Sequence, residues 1–201
     1  MQLIALTGGI ASGKSTIGRR FEARGARRID ADQLARDAVA PGSPGLERVI
    51  STFGEELRLV DGSLDRAALG SRVFGDAAAL AQLNAIVHPE VRRLFAERVE
   101  AARAVDPESI VVYEIPLLVE TDARDEQWDL IVVAEADIEA RVARMMTLRG
   151  MTEDDARARI LRQASNEERR QIADVVIDTS GSEAETLEQV DQLWERLVTR
   201  G

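Results

Sequence analysis

A glycine-rich turn near the start of the chain constrains the fold more than any other feature. Leu3–Thr7 is a short apolar run, the pattern of a buried strand. Gly8-Gly9-Ile10-Ala11-Ser12-Gly13-Lys14-Ser15 follows at once, with the spacing G-x-x-x-x-G-K-[ST]. Ser15 to Arg24 then reads as a helix, with Ile17 and Phe21 four apart on one face and Gly25 as a cap. Strand, glycine turn and helix in that order predict a unit whose backbone curls around an anion at a helix N-terminus.

Each residue type in the turn has a chemical reason. Glycines at 8, 9 and 13 let the backbone bend, so that the N–H groups of Gly9, Ala11, Ser12 and Gly13 can face phosphate oxygens. Lys14 places a compact cation against the outer phosphates. The Ser15 hydroxyl is a hard oxygen ligand for Mg²⁺, and Thr16 adds a further donor to phosphate. The motif predicts nucleoside triphosphate binding, with ATP as co-substrate and Mg²⁺ as its metal. It leaves open what happens to the γ-phosphate.

Charge supports a local anion site rather than a general one. The chain has 201 residues, enough for one compact domain with insertions, and a formal net charge of -10. That balance argues against nucleic acid as a partner, since a broad basic face would be needed. Among the 26 basic residues only Lys14 is a lysine. No cysteine is present, which excludes disulfides, thiolate metal sites and a thiol nucleophile and is consistent with a reducing cytoplasm. The apolar runs fall well short of the ~20 residues of a membrane helix, and the start lacks a basic n-region with a cleavage site. The expectation is a cytoplasmic protein with no membrane partner.

Further along, strands alternate with helices. Arg27–Asp30 is a weak strand candidate; Ser109–Glu114, Leu130–Ala134 and Val175–Asp178 are stronger ones. Glu183–Arg200 is an amphipathic helix with Leu187, Val190, Leu193 and Leu197 on one side. This alternation predicts an α/β fold with a mainly parallel sheet covered on both faces. Residues 1–32, 107–140 and 171–201 form the expected nucleotide-binding core. Residues 33–106 read as a helical insertion. Residues 141–170, dense in arginine, read as a mobile helical cover, or alternatively as a solvated helical hairpin.

Ligands of parallel sheets bind at the carboxyl ends of strands. Asp30-Ala31-Asp32 follows the second strand and Glu114-Ile115-Pro116 the third. Such carboxylates hold Mg²⁺ through water or accept a proton from an attacking hydroxyl. The alternatives are a helix N-cap for Asp32, ahead of Gln33–Val39, and a solvent-facing strand end for Glu114. His88, the sole histidine, precedes Pro89.

Four segments together carry a resemblance. Thr7–Thr16, Asp30–Arg36 (D-A-D-Q-L-A-R), His88–Pro89 and Pro116–Glu120 (P-L-L-V-E) resemble the dephospho-coenzyme A kinases in order and spacing. The resemblance implies a P-loop kinase fold: a parallel five-stranded sheet flanked by helices, a helical acceptor-binding insertion and a helical lid. It implies ATP-dependent phosphorylation of the ribose 3′-hydroxyl of dephospho-coenzyme A, the final step of coenzyme A synthesis. On it, Asp32 is the general base. Thr7, Arg36, His88, Leu117, Leu118 and Glu120, with Asp32, line the acceptor side. Arg144 is the lid arginine that reaches the transferring phosphate, with Arg149 a second candidate. Thr179 stands where many relatives carry asparagine beside the nucleotide base.

Two other readings share the phosphate loop. One is a P-loop kinase for another small acceptor, such as a nucleoside monophosphate or a sugar acid. The other is a nucleotide-dependent switch; its guanine-reading form is weakened because an N-K-x-D segment needs a second lysine.

Overall fold

The computed structural model describes residues 1–120 and 128–199, so Arg200, the expected end of the last helix, lies outside them. Five strands form one sheet: β1 (Gln2–Gly8), β2 (Arg27–Asp30), β3 (Ile110–Glu114), β4 (Leu130–Glu135) and β5 (Val175–Asp178). Their order is β2-β3-β1-β4-β5, and every pairing is parallel. The chain runs from β1 outward to β2, returns through β3, and crosses β1 to reach β4. The reversal of strand order therefore falls beside β1, whose carboxyl end carries the glycine turn, the position at which open α/β sheets bind ligands.

Alternation along β1 explains one covered face. Ile4 and Leu6 point to the same side and pack with Ile110, Val112, Val132 and Ile177 of the neighbouring strands. Two helices supply the covering layer: α1 (Lys14–Ala23) through Ile17 and Phe21, and a later helix, Glu183–Thr199, through Val190, Leu193 and Leu197. The Phe21 and Trp194 rings meet at 6.4 Å between centroids, tilted by 53°. Glu114 ends β3 but does not face solvent: its side chain is buried, and Arg28 Nε donates to it at 2.6 Å.

The chain divides into two compact units. Unit 1 comprises Met1–Asp30 and Ala102–Gly201; unit 2 is Ala31–Ala101. Unit 2 holds α2 (Ala31–Asp37), α3 (Pro44–Phe53), α4 (Arg66–Val73) and most of α5 (Ala77–Val105). Its own core is formed by Val39, Leu46, Val49, Ile50, Leu57, Leu64 and Leu69. Helix α2 begins directly after β2, so Asp32 is its second residue and not an N-cap. Helix α5 carries Pro89 within it, where proline removes one backbone hydrogen bond.

The arginine-dense stretch folds as α6 (Ile138–Arg149), α7 (Glu153–Leu161) and α8 (Asn166–Arg170), followed after β5 by α9 (Glu183–Thr199). Helices α6 to α8 belong to unit 1. They are more than a solvated hairpin, because Val142, Met145, Ala156 and Ile160 form a small core of their own. Ile10 and Ala11, from the glycine turn, pack against that core.

Candidate functional site

The glycine turn is shaped by two left-handed positions. Ala11 has φ 58°, and Gly13, the residue before α1, has φ 84°. Glycine reaches that region without the steric penalty other residues meet. No side chain caps α1; the Thr16 N–H donates to Gly13 O at 3.0 Å, and the Ser15 N–H is the donor of the first turn that is kept for a ligand. The N–H groups of Ala11, Gly13 and Ser15 donate to no acceptor among the described residues.

The carbonyls of the turn behave in the opposite way. Five in succession accept from side chains. Lys14 Nζ donates to Gly8 O at 2.7 Å and to Gly9 O at 3.3 Å. Arg141 Nε donates to Ile10 O at 2.9 Å, and Arg144 Nη1 to Ala11 O at 3.2 Å. Thr179 Oγ1 donates to Ser12 O at 2.8 Å. The carbonyl side is thus occupied by protein. The Ser12 N–H, expected to face phosphate, turns back onto Gly9 O at 3.2 Å, and the Ile10 N–H is taken by Gln163. The N–H groups of Ala11, Gly13 and Ser15 are left to an anion, the geometry of a phosphate cradle.

Electrostatics point the same way. Arg141 and Arg144 make no ion pair among the described residues; the nearest carboxylate influence is Asp178, whose carboxyl is held below its ordinary range by the hydrogen bonds of Ser180 and, last, by the charge of Arg144. Arg141 is 2% exposed. Its burial, together with the charge of Arg169, brings its pKa down to about 10, still cationic at neutral pH. Two hydroxyl oxygens, Thr7 Oγ1 and Ser12 Oγ, are buried without a hydrogen-bond partner at this strand end. Buried hydroxyls are normally paired, so these two keep hydrogen-bonding capacity at the turn.

The model of the dephospho-CoA kinase family matches residues 2–185. The chain belongs to the dephospho-CoA kinase family. It is 53% identical over 194 residues to a dephospho-CoA kinase of Leifsonia xyli subsp. xyli, covering 96% of this chain and 98% of that one. It is 47% identical over 201 residues to one from Thermobifida fusca, covering 100% and 98% of the two chains. The solved dephospho-CoA kinase from Campylobacter jejuni superposes with a TM-score of 0.67 at 26% identity, covering 98% of this chain and 97% of that one.

Against the dephospho-CoA kinase expectations, the structure places the site residues in three groups. Thr7, Gly9, Ala11, Ser12, Gly13, Lys14, Ser15, Thr16 and Arg144 lie together at the turn in unit 1. Arg144 is held to Ala11 O and to Thr179, whose hydroxyl oxygen accepts from Nη1 at 3.3 Å and whose carbonyl accepts from Nη2. Thr179 is buried, and its hydroxyl serves Ser12 O, so it braces the turn from the end of β5. Arg149 ends α6, exposed and without a partner among the described residues.

The second group follows β3. Leu118 is fully buried, so its side chain packs inside the protein, whereas Leu117 is 38% exposed. The Glu120 carboxylate accepts from Ala164 N–H at 2.8 Å and from Arg169 Nη2 at 3.3 Å, which ties this segment to the base of α8. The third group is in unit 2. Asp32 and Arg36 are exposed and four residues apart on α2, hence on one face. His88 is exposed on α5.

Sequence reasoning missed Arg141, Gln163 and Arg169 as parts of the site. A signal existed for Arg141. It falls on the apolar stripe of α6 with Ile138, Val142 and Met145, where a charged residue is out of place unless it is used. Nothing comparable marked Gln163, whose Oε1 accepts from Ile10 N–H at 2.7 Å.

Proposed function

We propose that the chain uses the Gly8–Thr16 turn to hold ATP and transfers its γ-phosphoryl group to the ribose 3′-hydroxyl of dephospho-coenzyme A. The chain phosphorylates dephospho-coenzyme A with ATP, in coenzyme A synthesis. The observation that carries the residue assignment is the turn itself: five carbonyls engaged by side chains and the amides of Ala11, Gly13 and Ser15 left as donors.

In this reading Lys14 sets its ammonium against the outer phosphates, with Thr16 as a further donor. Asp32 accepts the 3′-hydroxyl proton as that oxygen attacks the γ-phosphorus in line, and ADP leaves. Arg36, His88, Leu117 and Thr7 serve the acceptor, with Arg36 supplying charge for its phosphates. Leu118 and Glu120 support that side from within: Leu118 by packing, Glu120 by holding Arg169. Arg144 keeps Ala11 and Thr179 in register beneath the nucleotide. Arg149, free of protein partners among the described residues, is the arginine available to the transferring group.

Mg²⁺ fits the residues present. The Ser15 hydroxyl is exposed in the first turn of α1 and has no protein partner among the described residues. No cluster of acids able to cage a metal exists among the described residues, which suits an ion held by one hydroxyl, phosphate oxygens and water. When bound, Mg²⁺ would neutralise charge on the β- and γ-phosphates. No helix among the described residues is long and apolar enough to cross a membrane, and we place the enzyme in the cytoplasm.

The test is a panel of acceptors with ATP and Mg²⁺: dephospho-coenzyme A, a nucleoside monophosphate and a sugar acid, with products read by mass spectrometry. Phosphorylation of dephospho-coenzyme A at the 3′-position, and negligible reaction with the others, is expected. Preferential phosphorylation of another acceptor would contradict it.

A further inference from the structure

A trans peptide unit is planar, so its carbonyl and the N–H of the next residue point in opposite directions. Arg141 Nε holds Ile10 O, which turns the Ala11 N–H the other way, and that amide donates to nothing among the described residues. Gln163 Oε1 takes the N–H of Ile10 itself at 2.7 Å, and Arg141 Nη2 donates to the same oxygen at 3.2 Å. Both polar groups of Ile10 are therefore gripped by two side chains that are bonded to each other.

A buried cation with no carboxylate beside it is strongly disfavoured unless an anion or its hydrogen bonds compensate. The charge that acts on Arg141 is that of Arg169, a second cation, whose own partner is Glu120. Gly9 belongs to the same arrangement. A Cβ there would come within 2.4 Å of Arg141 Nη2 and 2.7 Å of Cζ. The Gly9 backbone is not in the left-handed region, so the missing side chain serves to admit the guanidinium.

We propose that Arg141, seated by Gln163, is a positioning residue for phosphoryl transfer: it fixes the Ile10–Ala11 peptide so that the Ala11 amide faces the triphosphate, and it sets a buried positive charge behind that amide. This rests on the reading of the turn as the ATP site.

Steady-state kinetics of the full chain test it. Arg141→Met should raise the KM for ATP roughly ten-fold or more, the size expected for losing a hydrogen bond from a charged group. The KM for dephospho-coenzyme A should stay within about two-fold, a split that general loosening of the fold would not give. Gly9→Ala keeps the arginine but displaces its guanidinium, and should reproduce the rise in ATP KM. In the double variant the new methyl meets no guanidinium, so Gly9→Ala should add nothing to Arg141→Met. Arg141→Lys, which keeps the charge, should recover part of the loss.

An unchanged ATP KM in Arg141→Met overturns the proposal, as do single effects that multiply in the double variant. If Arg141→Met fails to fold, Gly9→Ala decides alone, and a wild-type ATP KM there overturns it. Lys14→Ala, measured in parallel, keeps the two failures apart. Loss of ATP binding in Lys14→Ala with none in Arg141→Met sinks the Arg141 proposal and leaves the ATP site standing. A wild-type ATP KM in Lys14→Ala sinks both.

Discussion

Two of the arginines at the glycine turn of unit 1 are used differently from the ion-paired arginines of unit 2. In unit 2, Arg48, Arg58, Arg72, Arg93 and Arg98 each face a carboxylate, as in the pairs Arg58–Glu47 at 2.9 Å and Arg93–Glu90 at 3.0 Å. Most of these pairs are solvent-exposed and contribute little individually. Around the glycine turn of unit 1, Arg141 and Arg144 donate to backbone carbonyls and form no ion pair among the described residues. The difference separates stability from function. Paired arginines fasten the surface of a small helical core. Those at the turn spend their donors on backbone carbonyls instead and keep positive charge beside it, in a chain whose formal net charge is -10.

Substitutions should break the comparison in order of size. Asp32→Asn should lower kcat by roughly 10²–10⁴-fold with little change in melting temperature, as loss of a general base does. A loss of only a few-fold would make Asp32 no more than a residue in the first turn of α2. Lys14→Ala should lower kcat/KM for ATP by about 10²–10³-fold while far-UV circular dichroism stays native. Activity close to wild type would remove the turn from the chemistry.

Two arginines of α6 should then separate from each other. Arg149→Ala should act mainly on kcat and Arg144→Ala mainly on the KM for ATP, because Arg144 is engaged with Ala11 and Thr179 while Arg149 is exposed. The reverse split would exchange their roles.

The smallest effect belongs to an ion-paired carboxylate of unit 2. Glu90 is buried and receives Arg48 and Arg93. Burial pushes its carboxyl up, but the two arginines outweigh this and hold it below the ordinary range. A carboxyl whose folded pKa is depressed contributes stability that is complete above the ordinary carboxylate range. That stability is lost as pH falls through the folded value. Glu90→Gln should therefore cost about 1–2 kcal/mol near neutral pH with kcat unchanged, and the gap should close in acid. Melting curves of both proteins from pH 7 down to pH 3 would show this; a gap that widens in acid would reverse the assignment.

Much of this was legible in the sequence because the signals were local. The strand–turn–helix at Leu3–Arg24 and the β-branched run at Ile110–Val112 declare themselves by pattern, and all five strands appear where expected within a residue or two. The start of α2 was not legible: Asp32 resembles an N-cap by composition, yet β2 passes into α2 with no intervening loop. The solvent-facing alternative for Glu114 fails for a related reason. Its burial depends on Arg28, 86 positions away, and on Gly18, which leaves room for its carboxylate against α1. The carbonyl contacts of the turn are likewise set by residues more than a hundred positions distant, such as Arg141 and Thr179. Pattern shows which residues have the chemistry, but only the fold decides which polar groups they meet.

The occupancy of the turn can be measured directly, because the chain has one lysine. An amine-selective reagent reaches only Lys14 and the N-terminus, and peptide mass spectrometry reports each separately. If the turn holds the triphosphate, ATP with Mg²⁺ should suppress labelling of Lys14 strongly and leave the N-terminal amine labelled as before. Equal labelling of Lys14 with and without saturating ATP would contradict the account.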